Sequence, residues 1–146
     1  MQYKKINRKI TKGFTIIEVL IVVAIIGILG AIIMANVNNY TTKAKDAKIK
    51  ASLALLQLNG FTYFVTHGTY DPPGSDIFCS DSITANIFNS IVSTQKRCND
   101  NPDQWRACAV TNIPSDGSKA WCVDSTGNKK EINGSQCASG SSSPCP

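Results

Sequence analysis

The segment from Gly13 to Glu18 contains the residues whose types and spacing most directly suggest chemistry. Gly13 directly precedes an apolar stretch, residues 14–35, in which Glu18 is the only carboxylate. As a helix this stretch would be about 33 Å long, close to a hydrocarbon core of about 30 Å. A carboxylate in such a span costs on the order of a few kcal/mol unless it is paired, reaches the interface or is buried in protein. Glu18 is therefore either a tolerated acid near the headgroups or half of a charge pair, and we favour the pair.

Thiol chemistry is confined to the second half of the chain. All six cysteines lie beyond the apolar stretch, at Cys79, Cys98, Cys108, Cys122, Cys137 and Cys145. An even number of cysteines in a small exported domain indicates disulfides, and six cysteines allow fifteen connectivities. A zinc cluster is the competing use, but the chain has no paired C-x-x-C units and one histidine. We therefore expect disulfides and no metal.

The remaining polar residues do not form a catalytic set. His67 is the single histidine and falls at an expected helix end, where it suits the helix dipole. The aspartates of the second half lie among Asn, Gly and Ser, which is typical of turns: Asp100, Asp103, Asp116 and Asp124. We expect no enzyme and no cofactor, and a membrane-anchored enzyme or sensor is the third of three alternatives.

The first thirteen residues indicate how the chain is oriented in a membrane. They contain five bases and no acid: Lys4, Lys5, Arg8, Lys9 and Lys12. Under the positive-inside rule this flank stays in the cytoplasm, so the rest of the chain is expected outside it. An ordinary secretory signal has an apolar region of about 7 to 15 residues with a cleavage site after it. Here the apolar region is longer, and the small residue Gly13 precedes it.

The positive charge of the chain comes from this leader. The whole sequence has fifteen Lys plus Arg and ten Asp plus Glu, a net charge of +5. Without residues 1–13, ten bases and ten acids remain, so nucleic acid is not an expected partner of the shortened chain. The alternative is that the remaining head bases gather on one nucleic-acid-binding face: Lys96, Arg97, Arg106, Lys119, Lys129 and Lys130.

A single long helix must position the apolar stretch. Helical periodicity continues to His67, and Gly68 is a plausible C-cap. We divide it into an apolar half, residues 14–35, and an amphipathic half, residues 36–67. The stripe that we expect to pack on the rest of the protein is Ala47, Ala51, Ala54, Leu55, Leu58, Phe61 and Val65.

The residues after the helix predict a small head, residues 68–133, followed by a Ser/Gly/Cys-rich loop, residues 134–146. A short helix is expected at 82–92, and strands at 104–112, 120–124 and 130–133. The predicted fold class is α+β, in which the long helix packs against a small antiparallel sheet of three or four strands. On these elements, the disulfides that we expect are Cys79–Cys98 across the short helix, Cys108–Cys122 across the strands, and Cys137–Cys145.

Residues 12–20 resemble the class III signal of type IV pilins and pseudopilins, with a glycine, a phenylalanine and an acid at the expected offsets. The resemblance is close over about residues 8–40, and it implies the pilin fold. It also implies that a membrane peptidase cuts between Gly13 and Phe14 and that Phe14 is N-methylated. Glu18 then matches the fifth-position acid, and the amine of Phe14 on a neighbouring subunit is its implied partner.

The resemblance further implies a structural subunit of a type IV pilus. The alternative is a pseudopilin or minor pilin of a secretion or DNA-uptake machine. Implied partners are other copies of the chain in a helical filament, the prepilin peptidase and methyltransferase, the inner-membrane assembly platform and the membrane. The precursor would be a single-pass protein of the cytoplasmic membrane and the product a surface or envelope filament. Some pseudopilins bind calcium, which makes Asp116 and Asp124 weak ligand candidates, and we expect no metal here.

Overall fold

A computed structural model describes residues 13–74, 77–139 and 144–146, without the side chains of residues 34–36. The leader residues 1–12 lie outside this range. The chain divides into two compact units, Met1–Asn38 and Asn39–Pro146. Helix α1, Ile16–His67, runs through both. It ends where Gly68 adopts φ +73° and donates its N–H to Phe64 O at 2.7 Å, as the C-cap prediction required.

The second unit contains a four-stranded antiparallel sheet in the order β1-β2-β3-β4. Its elements are α2 (Ser82–Asn89), β1 (Lys96–Asp100), β2 (Trp105–Val110), β3 (Lys119–Asp124), β4 (Lys129–Asn133) and α3 (Gly134–Ala138). Together with α1 they confirm the predicted α+β fold of a long helix and a small antiparallel sheet.

The two faces of the sheet have different coverings. Alternate residues of β2 point to opposite sides, as a strand requires. One face joins the buried side chains of α1 in the main core: Ile49, Leu53, Leu56, Tyr63, Trp105, Ala107, Ala109 and Val123. The opposite face forms a second core with α3 and the C-terminal residues: Cys108, Val110, Ala120, Cys122, Ile132, Cys137 and Cys145.

The predicted packing stripe lies on the wrong side of α1. The side chains of Leu55, Leu58, Phe61 and Val65 are exposed, whereas Ile49, Leu53 and Leu56 are buried. The sequence offers apolar residues on two opposite sides of this helix, and periodicity alone does not say which side meets the sheet. Tertiary contacts decide it, because Gly60 leaves room for the Trp105 indole: a Cβ there would lie 2.6 Å from Nε1.

Two elements were missed from the sequence. Strand β1 is polar and charged and forms as the edge partner of β2, a pairing that its own β propensity does not predict. Helix α3 replaces the start of the predicted C-terminal loop. At its beginning, Asn133 N donates to Gln136 Oε1 at 2.9 Å, and at its end Arg106 donates to Ser139 O at 2.9 Å. These contacts satisfy polar groups at both ends of a helix too short to persist alone.

Candidate functional site

Of the three residues predicted to matter at the N-terminus, Gly13 and Phe14 precede α1 and Glu18 lies in its first turn. Gly13 and Phe14 are exposed, and the Phe14 side chain is 85% accessible. The Glu18 carboxylate accepts hydrogen bonds through Oε2 from both Thr15 N and Thr15 Oγ1, each at 2.8 Å. The N–H of Glu18 in turn points to Thr15 Oγ1 at 3.3 Å. Thr15 and Glu18 thus form a capping box at the helix start.

This capping box was missed although its sequence signal was present. A Thr followed three residues later by Glu, immediately before an apolar run, is the pattern of such a helix start. The box gives Glu18 a local role within the chain itself. It also fixes the carboxylate at the first turn, within a few residues of Phe14, where a cleaved chain would carry its new amine.

The segment that follows is an exposed apolar helix. Within the described residues, α1 supplies the one helix that is long and apolar enough to cross a membrane, over Ile16–Ile33. None of the residues in that window is buried. Side chains on all sides of the helix are exposed, for example Ile17, Leu20, Val23 and Ile26. A helix that is apolar all round needs lipid or other apolar helices around it.

The second part of α1 has an exposed apolar surface of its own, which we call the outer stripe. It contains the residues of the predicted stripe except the half-buried Ala54, and it lies opposite the buried side chains that meet the sheet. Phe61 is 69% exposed and Leu58 is 65% exposed. The members of the outer stripe follow one another at spacings of three and four: Ala47, Ala51, Leu55, Leu58, Phe61 and Val65. Such a patch on a small head marks a surface that binds something apolar.

All six cysteines are disulfide-bonded, but two of the three pairs differ from the prediction. Cys79–Cys98 forms as expected. The other bonds are Cys108–Cys137 and Cys122–Cys145, in place of Cys108–Cys122 and Cys137–Cys145. The reason is that α3 and the C-terminal residues fold back over the second core. Each of the two strand cysteines therefore reaches a different part of the C-terminal segment.

Two buried charged residues hold that C-terminal segment, a role that the sequence did not indicate for either. Arg106 and Asp124 are direct cross-strand partners on β2 and β3. Arg106 donates to Ser139 O, and Asp124 Oδ2 accepts from Cys145 N at 2.8 Å. Burial alone would raise the pKa of Asp124, but hydrogen bonds from Thr126, Asn128 and Cys145 outweigh it and lower the pKa. Both charges are thus structural.

The other polar candidates also have structural partners. His67 Nδ1 lies 3.1 Å from Tyr63 O, and its ring stacks on Tyr63 at 4.2 Å. Asp116 accepts from Ser118 N at 2.8 Å in an exposed turn. In the part of the chain that the structure describes, no three His, Cys, Asp or Glu side chains gather into a possible metal site. The arrangement of the described side chains supports binding through apolar surface.

A membrane-type helix that begins with a lone acid and continues into a small antiparallel head defines a pilin-like subunit. The model of the prokaryotic N-terminal methylation motif matches residues 8–34. The chain is 31% identical to the type IV major pilin protein PilE of Neisseria gonorrhoeae over 121 residues, covering 75% of this chain and 72% of that protein. It belongs to the type IV pilin family.

Further relatives are also type IV pilins. The type IV major pilin protein PilE1 of Neisseria gonorrhoeae is 29% identical over 84% of this chain and 69% of its own length. The type IV major alpha-pilin of Moraxella bovis is 46% identical over 43 residues, 30% of this chain and 27% of that protein. No solved structure matches the chain significantly. These matches identify a structural pilin subunit and do not favour the pseudopilin alternative.

Proposed function

We propose that this chain is a prepilin that is cleaved between Gly13 and Phe14, N-methylated at Phe14 and assembled with other copies into a homopolymeric type IV pilus. In the proposal, Glu18 sets the register between subunits. The observation that carries it is the uncovered apolar helix Ile16–Ile33, whose one acid lies in its first turn next to an exposed Gly13–Phe14 bond.

Accessibility supports the processing step. A peptidase needs an extended, unprotected backbone, and Gly13 to Thr15 precede the first residue of α1. Gly13 has no side chain to obstruct the cut, and no atom of the residues that the structure describes lies within 4 Å of the position of an added Cβ. The apolar helix with its basic leader fits a membrane-anchored precursor, which we place in the cytoplasmic membrane with the head outside.

The chemistry of the pair supports the register role. Cleavage creates a cation at Phe14 and leaves Glu18 an anion among apolar side chains. When subunits leave the lipid and pack together, an unpaired carboxylate costs several kcal/mol, whereas a neighbour's amine offsets much of that cost. Subunits that are shifted along the helix leave both charges unpaired, so the penalty selects one register. The capping box holds the carboxylate in place for this contact.

The outer stripe supports a homopolymer. The head covers one side of α1 in residues 39–67 and leaves Leu55, Leu58 and Phe61 in solvent. Burial of about 100 Å² of apolar surface contributes about 2.5 kcal/mol, so a continuous stripe strongly favours association. A second copy of the chain is the occupant that we propose, because each copy also brings an apolar helix that needs covering.

The processing and register steps can be separated by one experiment in cells with and without the prepilin peptidase. Intact mass reports cleavage and methylation, and sheared filaments report assembly. We expect Glu18→Gln and Glu18→Ala to be cut and methylated normally while filament yield falls at least tenfold. Glu131→Gln, which removes an exposed carboxylate of the head, is the matched control and should assemble normally. A Glu18→Ala subunit that forms filaments at the normal rate would refute the register role.

A second pair of variants tests the outer stripe. Leu58→Glu places a charge on the stripe, and Val92→Glu places the same charge on an exposed apolar residue of the head outside α1. Both should leave head stability unchanged, because neither side chain is buried. Filament yield should fall only for Leu58→Glu. Equal yields from the two variants would show that the outer stripe is not an interface.

A further inference from the structure

The second core holds two disulfides whose cysteines are arranged for exchange. Cys108 and Cys122 are direct cross-strand partners. Thr111 N donates to Lys119 O at 3.0 Å and Ser125 N to Trp105 O at 3.1 Å, and hydrogen-bonded pairs alternate along an antiparallel ladder. Cys108 and Cys122 therefore form a non-hydrogen-bonded pair, with Cα atoms about 4.5 Å apart and side chains on one face.

This pair could itself be bonded. Disulfides span Cα distances of about 4.4–6.8 Å, so the two strand positions can be bridged without moving the hairpin. Cys137 and Cys145 would then bond to each other. The four cysteines thus have two sets of partners compatible with the same β2–β3 hairpin, and the folded chain has the interleaved set, Cys108–Cys137 and Cys122–Cys145.

Loop length favours early formation of the alternative bonds, Cys108–Cys122 and Cys137–Cys145. Cys108 and Cys122 are 14 positions apart and Cys137 and Cys145 are 8 apart, whereas the folded bonds close separations of 29 and 23. Loop-closure entropy favours closing 14 positions about threefold over closing 29 and about twofold over closing 23. If the head is exported as proposed, Cys108 and Cys122 also leave the membrane before the C-terminal cysteines. This order of export rests on the proposed function, whereas the arguments from loop length and from strand register do not.

We propose that Cys108–Cys122 and Cys137–Cys145 form first during oxidative folding and that the native bonds arise from them by thiol–disulfide exchange, which a dithiol isomerase accelerates where the chain folds. A thiolate of the isomerase attacks Cys108, forms a mixed disulfide and releases the Cys122 thiolate. The Cys122 thiolate attacks Cys145 and releases the Cys137 thiolate. The Cys137 thiolate attacks Cys108 and releases the isomerase thiolate, so nothing is oxidised or reduced overall.

Packing explains why exchange ends at the interleaved set. Once Cys137 and Cys145 are joined to the strands, Arg106 reaches Ser139 O and Asp124 accepts from Cys145 N. Cys108, Cys122 and Cys137 are then fully buried. A thiolate reagent can no longer reach the sulfurs, so the native isomer is protected from further exchange.

Tryptic peptides distinguish the two isomers. Cleavage after Arg106, Lys119, Lys129 and Lys130 leaves Cys108 and Cys122 on separate peptides, and Cys137 and Cys145 together on residues 131–146. Native bonds join all three peptides. The early isomer joins 107–119 to 120–129 and leaves 131–146 with an internal bond. Cys79–Cys98 lies on other peptides and serves as an internal standard.

The experiment reoxidises reduced, unfolded full-length chain in detergent, once with diamide alone and once with reduced and oxidised glutathione. With diamide we expect the two-peptide product to predominate, and reduced glutathione added afterwards should convert it to the three-peptide product. A catalytic amount of protein disulfide isomerase should accelerate that conversion at least tenfold. Direct formation of the three-peptide product with diamide, at the same rate as with glutathione, would overturn the proposal.

A variant tests the geometry separately from the kinetics. In the Cys137→Ser/Cys145→Ser double variant, the proposal predicts that Cys108 and Cys122 bond to each other under mild oxidation, which thiol counting would detect as no free thiol. Two persistent free thiols would contradict it. Neither experiment depends on filament formation, so failure here leaves the proposed pilin function intact, and failure of that function leaves the exchange testable.

Discussion

In the first part of α1, from Ile16 to Ile33, apolar side chains point in every direction and none is buried. In the second part, from Asn39 to His67, apolar side chains form two opposite stripes, and the sheet covers one of them. The difference shows that hydrophobicity specifies that a side chain must leave water but not what will cover it. Within one helix, the head covers one surface and leaves the others for lipid or further subunits.

The sharpest test of this comparison uses two leucines of the same helix. Leu53 is 0% exposed in the main core, so Leu53→Ala should lower the free energy of unfolding of the head by about 3 kcal/mol. Leu55→Ala, on the outer stripe, should change it by less than about 0.5 kcal/mol. Tryptophan fluorescence during urea unfolding measures only the head, because Trp105 and Trp121 both lie there. Equal losses of stability in the two variants would mean that Leu55 is packed as tightly as Leu53, so that the outer stripe is not exposed.

Two glycines extend the comparison to the first part of the helix. A Cβ at Gly60 would meet the Trp105 indole at 2.6–2.7 Å, whereas no described neighbour lies within 4 Å of one at Gly27. Gly60→Ala should therefore destabilise the head by about 2 kcal/mol through overpacking. Gly27→Ala should leave head unfolding unchanged, since it adds a methyl group to an uncovered surface. A neutral Gly60→Ala would show that the indole packs elsewhere.

The C-terminal segment makes the stability of the head depend on pH. Hydrogen bonds hold the folded pKa of Asp124 below its unfolded value of about 3.9, so the carboxylate stabilises the head above that value. This contribution falls as the pH drops below about 5 and is lost once the folded pKa is passed. Asp124→Asn should cost about 1.5 kcal/mol at pH 7 and flatten the dependence between pH 7 and pH 3. Asp103→Asn, in an exposed turn, should retain the parental curve.

The smallest effect concerns the start of α1. Thr15→Val removes the hydroxyl that bonds Glu18 and should weaken the first turn by about 1 kcal/mol. Amide hydrogen exchange in detergent should then become about fivefold faster over residues 16–19, with no change in head unfolding. Thr15→Ser keeps the hydroxyl and should retain slow exchange. Unchanged exchange in Thr15→Val would mean that the capping box contributes nothing measurable.

Sequence patterns predicted the elements with strong local signals. The apolar run, the C-cap at Gly68, the helix starting at Ser82 and three of the four strands follow from periodicity and turn residues. The polar strand β1 and the helix α3 did not, because their formation depends on partners distant in the sequence, β2 for the one and Arg106 for the other. Local signals cannot report such contacts.

The sequence by itself determined the pilin-type N-terminus, the family, the α+β class and the use of the cysteines in disulfides. Each follows from residues that are close together or from a simple count. Tertiary structure decided which stripe of α1 meets the sheet, and it decided the partners of Cys108 and Cys122. The physical reason is common to both. When several groups of similar affinity compete for one surface or one sulfur, long-range packing selects among them, and that selection is not encoded in any short stretch of the chain.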